Sequence, residues 1–590
     1  MRRENFLFVI IILFSFGILA RLYFWQVINY EKFKAAAEAQ HLTLTQISPR
    51  RGEIKTSDNF SIVSNEPAFL VYASPSELKK KGLEEKISFP EAVKKTIDAI
   101  LPFILEERFR EASSSAEVIE KDEIVKEVQN DLKERLSNDR LDWVVLKHKM
   151  SKDLAEGIRE KKISWVGLEK EDRRFYPEAS LSAHTVGFVG SDDVGRNKGY
   201  FGLEGYYDRE LKGRIGKVKA EVDASGNIIL VGEKGGIPKT DGRDLLTTID
   251  RTIQYILEKK LAEGLQKYGA KAATAIVLDP KSGAVLALAN LPNYEPQRWK
   301  AYPQELFKNP AVADTYEPGS TFKIITFAAA LNENLIKPET RCECKEPLQI
   351  GGFTIRTWNN QYHPDSTMTQ VLQHSDNIGA AQISRSLGVS KFLRYIKNFG
   401  FGEITGIDLQ EEATGIVKEK KDWKEIDSVT ASFGQGLSVT ALQMARAVAA
   451  IANAGKLMKP YIVQKIEGSD KSVEIGSKME RQVIKPEAAK ILTEMMVAAV
   501  EGGEAKKLIP KGYRIAGKTG TAQIPIAGHY DPKKTVASFV GFGPTENPKF
   551  VILVRYTEPS SSPFGAETAA PTFFEITKEL FNYYKIAPSK

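Results

Sequence analysis

At 590 residues, with 42% apolar and 27% charged side chains, the chain has the composition of a globular protein large enough for two or more domains with sizeable cores. The 83 basic and 76 acidic residues leave a net charge of +7. No Lys/Arg block interleaved with aromatics marks a nucleic-acid groove, so the small basic excess points to work near anionic envelope polymers or lipid.

In chain order, Phe6 to Ala20 is an uncharged apolar run, and Arg21 with the aromatic-rich Leu22 to Ile28 extends it to a length that can span a bilayer. Ile18-Leu19-Ala20 offers no small-x-small cleavage site, so an uncleaved anchor over residues 6–28 is expected, with residues 1–5 as a cytoplasmic tail. Residues 29–238 have mixed character and read as a spacer or pedestal. Pro49 to Ile54 looks like a turn entering a strand. Leu105 to Leu136 reads as charged helix with too little apolar face for a deep core, its charges being solvated surface. A Gly-, Lys- and Pro-rich stretch from Gly232 to Gly242 marks a boundary, and residues 239–590 form the second large domain.

In that domain Asp244 to Ile249 reads as a strand and Ile253 to Leu265 as a helix. Ala273 to Leu278 and Ala284 to Ala289, joined by Asp279-Pro280-Lys281-Ser282-Gly283, read as a β-hairpin. Helices then dominate from Met368 to about Asn453, one of them opening on Thr440 and Gln443 in capping-box spacing, and another runs from Glu487 to Val500. Tyr513 to Ile524, Thr535 to Phe542 and Phe550 to Tyr556 form an antiparallel set before a last helix, Pro571 to Tyr583. Strands at both ends with helices between imply an α+β fold: one antiparallel sheet closed by distant chain segments and sandwiched by helices.

The chemistry centres on Glu317-Pro318-Gly319-Ser320-Thr321-Phe322-Lys323, followed directly by the apolar run Ile324 to Leu331. Pro-Gly ahead of an apolar-periodic stretch reads as a helix start, with Ser320 in the first turn and Lys323 one turn later on the same face. A serine hydroxyl needs an adjacent base, and a lysine serves if burial or cationic neighbours depress its pKa. Two further motifs follow: Ser375-Asp376-Asn377 in a break between helices, and Lys518-Thr519-Gly520-Thr521 on a strand. Short decoys also occur at Ser76 to Lys79, Ser57-Asp58-Asn59 and Lys281-Ser282-Gly283; they read as a solvated turn or helix end, as a match out of order, and as the hairpin turn.

The ordered trio Ser-x-x-Lys, Ser-Asp-Asn and Lys-Thr-Gly resembles that of penicillin-binding proteins and class A β-lactamases. Asp279-Pro280, Tyr316 to Gly319, Ser432-Phe433-Gly434-Gln435-Gly436 and Lys518 to Gln523 resemble the transpeptidase domain of class B, monofunctional penicillin-binding proteins. Arg51-Gly52-Glu53-Ile54 and Gly202-Leu203-Glu204-Gly205 resemble motifs of their N-terminal pedestal, also described as a dimerisation domain. The resemblance implies a D,D-transpeptidase of cell-wall synthesis. Its catalytic residues are Ser320, Lys323, Ser375, Asn377 and Lys518; Thr519, Gly520 and Thr521 bind substrate, and the backbone N–H groups of Ser320 and Thr521 form the oxyanion hole.

Implied partners are peptidoglycan stem peptides, β-lactams, the membrane and a SEDS-family glycosyltransferase. The implied location is the plasma membrane, single-pass, with the catalytic domain outside the cytoplasm. A septal role is favoured over an elongation role because the catalytic domain lacks a long insertion or appendage. No match to a glycosyltransferase motif occurs in residues 30–240, as a bifunctional enzyme would require. A β-lactamase would need a deacylating Glu-x-x-x-Asn loop after Asn377; a penicillin sensor would need more membrane helices and an intracellular output domain. An inactive scaffold sits poorly with the intact trio. The six histidines (His41, His148, His184, His363, His374, His529) lack metal-ligand spacing, so neither a metal nor any other cofactor is expected. Cys342 and Cys344 are separated by one residue; a disulfide across that spacing reads as strained, and two loop thiols are expected.

Overall fold

The computed structural model describes residues 3–34, 42–111, 121–192, 196–221, 235–469, 471–526 and 529–588. They fall into two compact units: residues 1–51 with 212–242, and residues 52–211 with 243–590.

In the first unit Arg3–Tyr23 is an α-helix that passes into a π-helical turn, Phe24–Ile28. Its apolar residues stand exposed, and Asn5–Ile28 is long and apolar enough to cross a membrane. Leu42–Ile47, Gly216–Glu221 and Gly235–Ile237 form a three-stranded antiparallel sheet with Gly216–Glu221 in the middle.

The second unit holds two sheets of consequence. In a seven-stranded sheet the short strand Ile54–Lys55 lies parallel to Asp244–Thr247, so chain on either side of the 212–242 segment is stitched together. Glu53 fastens the junction: its N–H donates to Asp244 Oδ1 at 2.7 Å and its carboxylate accepts from Ser61 Oγ at 2.7 Å. The Gly-Leu-Glu-Gly segment is anchored by a buried ion pair, Arg174 Nε to Glu204 Oε1 at 2.6 Å.

The charged stretch expected to be wholly solvated is two helices, Phe89–Glu111 and Lys121–Leu136. The apolar stripe begins upstream, where Ile97, Ile100, Leu101 and Ile104 pack with Leu132, Leu136, Val71 and Met150. Glu107 corrects the expectation further: it is fully buried, accepting from Ser151 N at 2.9 Å and from Arg173 Nη1 at 2.7 Å. A charge on that face is retained inside because both kinds of donor reach it.

The catalytic half is built on helix α1 (Arg251–Tyr268), strands β1 (Ala272–Leu278) and β2 (Val285–Leu291), helices α2 (Lys323–Asn332), α3 (Asn377–Asn398) and α4 (Ala441–Ala452), strands β3 (Ala516–Ile526), β4 (His529–Gly543) and β5 (Phe550–Thr557), and helix α5 (Ala569–Tyr583). The sheet runs β2-β1-β5-β4-β3, antiparallel throughout, so the first hairpin and the last three strands meet as the sequence pattern requires.

Alternation along each strand supplies two faces. Ala273, Ala275 and Val277 of β1 and Ile552 and Val554 of β5 pack against Leu257 of α1 and Phe573 of α5. Ile276, Leu278, Val551 and Leu553 turn the other way, onto Ala328 of α2 and Ala445 and Val448 of α4. The caps are those the sequence suggests. Asp250 accepts from the N–H groups of Thr252 and Ile253 to open α1, and Thr440 with Gln443 closes a reciprocal capping box at the start of α4.

Cys342 and Cys344 are not loop thiols. Both are buried, at 2% and 0% exposure, and they form a disulfide with the Cα atoms 5.3 Å apart. That separation is ordinary for a bridge even though a single residue intervenes.

Candidate active site

Ser320 lies in a 3₁₀ turn, Gly319–Phe322, that leads directly into α2, rather than in the α-helix itself. In 3₁₀ geometry side chains three apart eclipse, which aligns Ser320 with Lys323 more closely than an α-turn would. Lys323 Nζ is 3.0 Å from Ser320 Oγ. The nine residues that follow Phe322, Lys323 to Leu331, are all buried, fixing the turn from below.

Three other oxygens surround the amine. Ser375 O is 2.6 Å away, Asn377 Oδ1 2.8 Å and Ser375 Oγ 3.2 Å. The two shortest contacts are to pure acceptors, so they take N–H donors, and a neutral amine then has its lone pair free for the Ser320 hydroxyl. Electrostatics favour that state. Burial holds the Lys323 amine well below the ordinary lysine range, the Lys518 charge pushes in the same direction, and Asp376 opposes both.

The Ser375-Asp376-Asn377 segment forms the break between the short helix Met368–Gln373 and α3. Ser375 adopts a left-handed backbone, φ 57°, which turns its carbonyl and hydroxyl toward Lys323. Asp376 is buried and caps α3, its Oδ1 accepting from Ile378 N at 2.7 Å and Gly379 N at 3.2 Å. Asn377, the first helical residue, is thereby held with its amide oxygen on Lys323 and its Nδ2 donating to Arg356 O at 3.0 Å.

Lys518 to Thr521 occupy β3, the edge strand of the five-stranded sheet. Lys518 is buried, which lowers its amine to about 8 against the partial opposition of Glu504, and Nζ donates to Thr519 Oγ1 at 3.1 Å. Thr521 Oγ1 accepts from Gly565 N at 3.1 Å and keeps its own proton to donate. Ser320, Ser375, Asn377, Lys518, Thr519 and Thr521 line one cleft of about 770 Å³.

Gly520 meets a packing constraint in addition to the sequence expectation. A side chain there would meet Ser538 Oγ at 2.4 Å, Thr321 Cγ2 at 2.8 Å and Pro318 O at 3.1 Å. The missing Cβ thus lets the nucleophile turn sit against β3, so the protein's own packing calls for glycine here. Gly319, at φ 57°, makes the matching approach, with Thr521 O 3.0 Å from where a Cβ would stand.

The decoys have structural explanations. Ser76 to Lys79 lie in the exposed-faced helix Pro75–Glu84, with Lys79 paired to Asp139. Ser57-Asp58-Asn59 forms a turn, and Lys281 to Gly283 form the β1–β2 hairpin turn. Sequence reasoning missed the cleft's rim: Trp358 and Phe564 meet edge to face at 5.5 Å, and His363 and His374 pack beside them on the lining. Their loops are distant in sequence, and only the adjacency of His374 to Ser375 hinted at any of them.

Residues 273–578 match the family model described as the penicillin-binding protein transpeptidase domain, and residues 46–247 match the penicillin-binding protein dimerisation domain. The chain belongs to the penicillin-binding protein transpeptidases. Among relatives of this family, Stage V sporulation protein D of Bacillus subtilis (strain 168) is 31% identical over 100% of this chain and 87% of its own length. Peptidoglycan D,D-transpeptidase FtsI of Escherichia coli (strain K12) is 28% identical over 97% and 90%. A crystal structure of a peptidoglycan synthetase from Bifidobacterium adolescentis matches with a TM-score of 0.70 at 24% identity, covering 93% of this chain and 98% of that one, which speaks for the shared fold. The transpeptidase is a serine acyltransferase by family, and the trio that led to this family is the set of residues gathered in the cleft.

Proposed function

We propose that this protein cross-links peptidoglycan stem peptides through an acyl-enzyme on Ser320. The observation that carries the reading is Lys323: a buried amine with a depressed pKa, hydrogen-bonded to Ser320, Ser375 and Asn377 at once. Neutral Lys323 takes the Ser320 proton as Oγ attacks the carbonyl of the penultimate D-Ala. Ser375 passes that proton to the departing amine, and terminal D-Ala leaves. The backbone N–H groups of Ser320 and Thr521 hold the oxyanion. Lys518, with the hydroxyls of Thr519 and Thr521, binds the substrate's terminal carboxylate, and the open edge of β3 takes the peptide as an added strand. An acceptor amine from a neighbouring stem peptide then resolves the ester. A β-lactam enters the same cleft as a dipeptide mimic and stays as a slowly hydrolysed ester.

The domain assignment follows: anchor 6–28, pedestal 29–238, catalytic domain 239–590. Support comes from the apolar N-terminal helix and from the order of the two family matches, 46–247 and then 273–578, the first of which runs nine residues past 238. We place the catalytic domain outside the cytoplasm, beside a SEDS-family glycosyltransferase contacted through anchor and pedestal. Co-purification that survives deletion of both would end that partnership. A septal role is supported by the whole-chain similarity to FtsI and is tested by localising a fluorescent fusion in dividing cells. A second reading, wall synthesis in sporulation, is favoured by the whole-chain similarity to Stage V sporulation protein D. The acyl-enzyme is tested by labelling with fluorescent penicillin: wild type takes the label and Ser320→Ala does not. Label retained by the variant would refute the role of Ser320.

A further inference from the structure

Two imidazoles line the same cleft as Ser320 and have no task in the acylation chemistry: His363 and His374. Their ring centroids are 4.2 Å apart, inclined at 41°. His374 is fixed in place. Its N–H donates to Gln370 O at 2.8 Å, its carbonyl accepts from Trp358 Nε1 at 3.4 Å, and the next residue is the left-handed Ser375 of the proton relay. Its Nδ1 is buried without a hydrogen-bond partner among the described residues, so a proton arriving from the cleft meets the ring at Nε2.

The transfer step requires a free amine, and the acceptor arrives as an ammonium ion. Lys323 is already engaged with four oxygens, and Lys518 faces the donor's carboxylate in the reading above. Of the other titratable groups on the cleft lining, Glu504 lies toward Lys518, which leaves the two imidazoles as the candidate bases there. Burial and the neighbouring His363 both hold His374 below the ordinary histidine value, with Asp376 opposing them.

We propose that His374, packed against His363, is the acceptor-amine base: it takes the proton of the incoming primary ammonium group and so marks where the acceptor strand enters the cleft. The inference rests on the Ser320 acyl-enzyme. The ammonium gives one proton to the imidazole, and the free amine attacks the Ser320 ester carbonyl. A C–N bond forms, the C–Oγ bond breaks, and the second amine proton passes through Ser375 and Lys323 to Ser320 Oγ. The imidazolium then releases its proton to water.

The test uses the full-length protein in detergent with a D-alanyl thioester donor and, as acceptor, muropeptides from the organism's own wall. The ratio of amine transfer to hydrolysis is followed from pH 5.5 to 9.5, alongside the rate of penicillin acylation. For His374→Gln the transfer ratio falls about tenfold at pH 7, and the deficit closes as pH approaches the amine's own pKa of about 10. His363→Gln removes the neighbour that helps hold the His374 ring below its ordinary value and moves the transfer profile to higher pH. A deficit in His374→Gln that is the same at every pH, or an equal loss of transfer and acylation, overturns the proposal and leaves His374 a positioning residue for Ser375. Failure of the wild type to acylate with penicillin would instead overturn the Ser320 reading beneath it.

Discussion

Lys323 Nζ reaches Ser320 Oγ at 3.0 Å across a single 3₁₀ turn, and the same nitrogen is closed in by three oxygens of the Ser375–Asn377 segment. The nucleophile and its base therefore come from one turn, while the environment that makes the lysine a base comes from 52 to 54 residues away. Neither part works without the other.

A pH profile follows from this arrangement. The Lys323 pKa is depressed, so the neutral, competent form predominates above that lowered value and is lost as pH falls through it. The rate of penicillin acylation rises with pH through this transition. Lys323→Arg, which stays charged, drops the rate by about 10³-fold at neutral pH. Stopped-flow acylation from pH 5 to 7.5, below the value of about 8 that burial gives Lys518, checks it, and a rate that declines as pH rises over this range would contradict it.

Asp376 separates two effects. Asp376→Ala removes the cap of α3 and costs about 1 kcal/mol in denaturant unfolding. Asp376→Asn keeps the cap and the stability but removes the charge that holds the Lys323 pKa up, so its acylation profile moves to lower pH than the wild type's. Equal profiles for wild type and Asp376→Asn would show that the carboxylate does not act on the lysine.

Gly520→Ala drives a methyl group between β3 and the nucleophile turn. The expected cost is about 1–3 kcal/mol of stability together with slowed acylation. Adding Ser538→Gly removes the nearest obstacle but leaves Thr321 Cγ2 and Pro318 O, so rescue is partial. Unfolding midpoints of the single and double variants measure this.

In the pedestal, Arg174 and Glu204 are 5% and 0% exposed and pair at 2.6 Å. Glu204→Leu alone strands a buried guanidinium and costs about 3–5 kcal/mol. The double variant Arg174→Met/Glu204→Leu costs less than either single change, which a double-mutant cycle on unfolding free energy would register.

The sequence made the catalytic trio legible because each motif is a contiguous stretch whose local element can be read: a helix start with an apolar sequel, a break between helices, a strand. The sheet was equally readable, since Ala273 to Leu278 and Phe550 to Tyr556 are runs that are apolar except for Thr274 and Arg555 and belong in a centre. What escaped reading depends on meetings between distant segments. Glu107 looks like helix surface until Arg173 and Ser151 are brought to it. Gly520 shows no packing role until Thr321 and Pro318 arrive beneath the strand. Cys342 and Cys344 pair because their loop places the Cα atoms 5.3 Å apart, a distance that spacing alone does not set. His363 and Trp358 gain their places on the rim only when residues 356–374 fold over the cleft.

The central claim is tested most directly by intact-protein mass spectrometry on a donor peptide ending in D-Ala-D-Ala. The account predicts release of one D-Ala, a transient ester on the peptide containing Ser320, and its transfer to an added stem-peptide amine, all absent in Ser320→Ala. D-Ala release that persists in Ser320→Ala, or an acyl group mapped to any other residue, would contradict it.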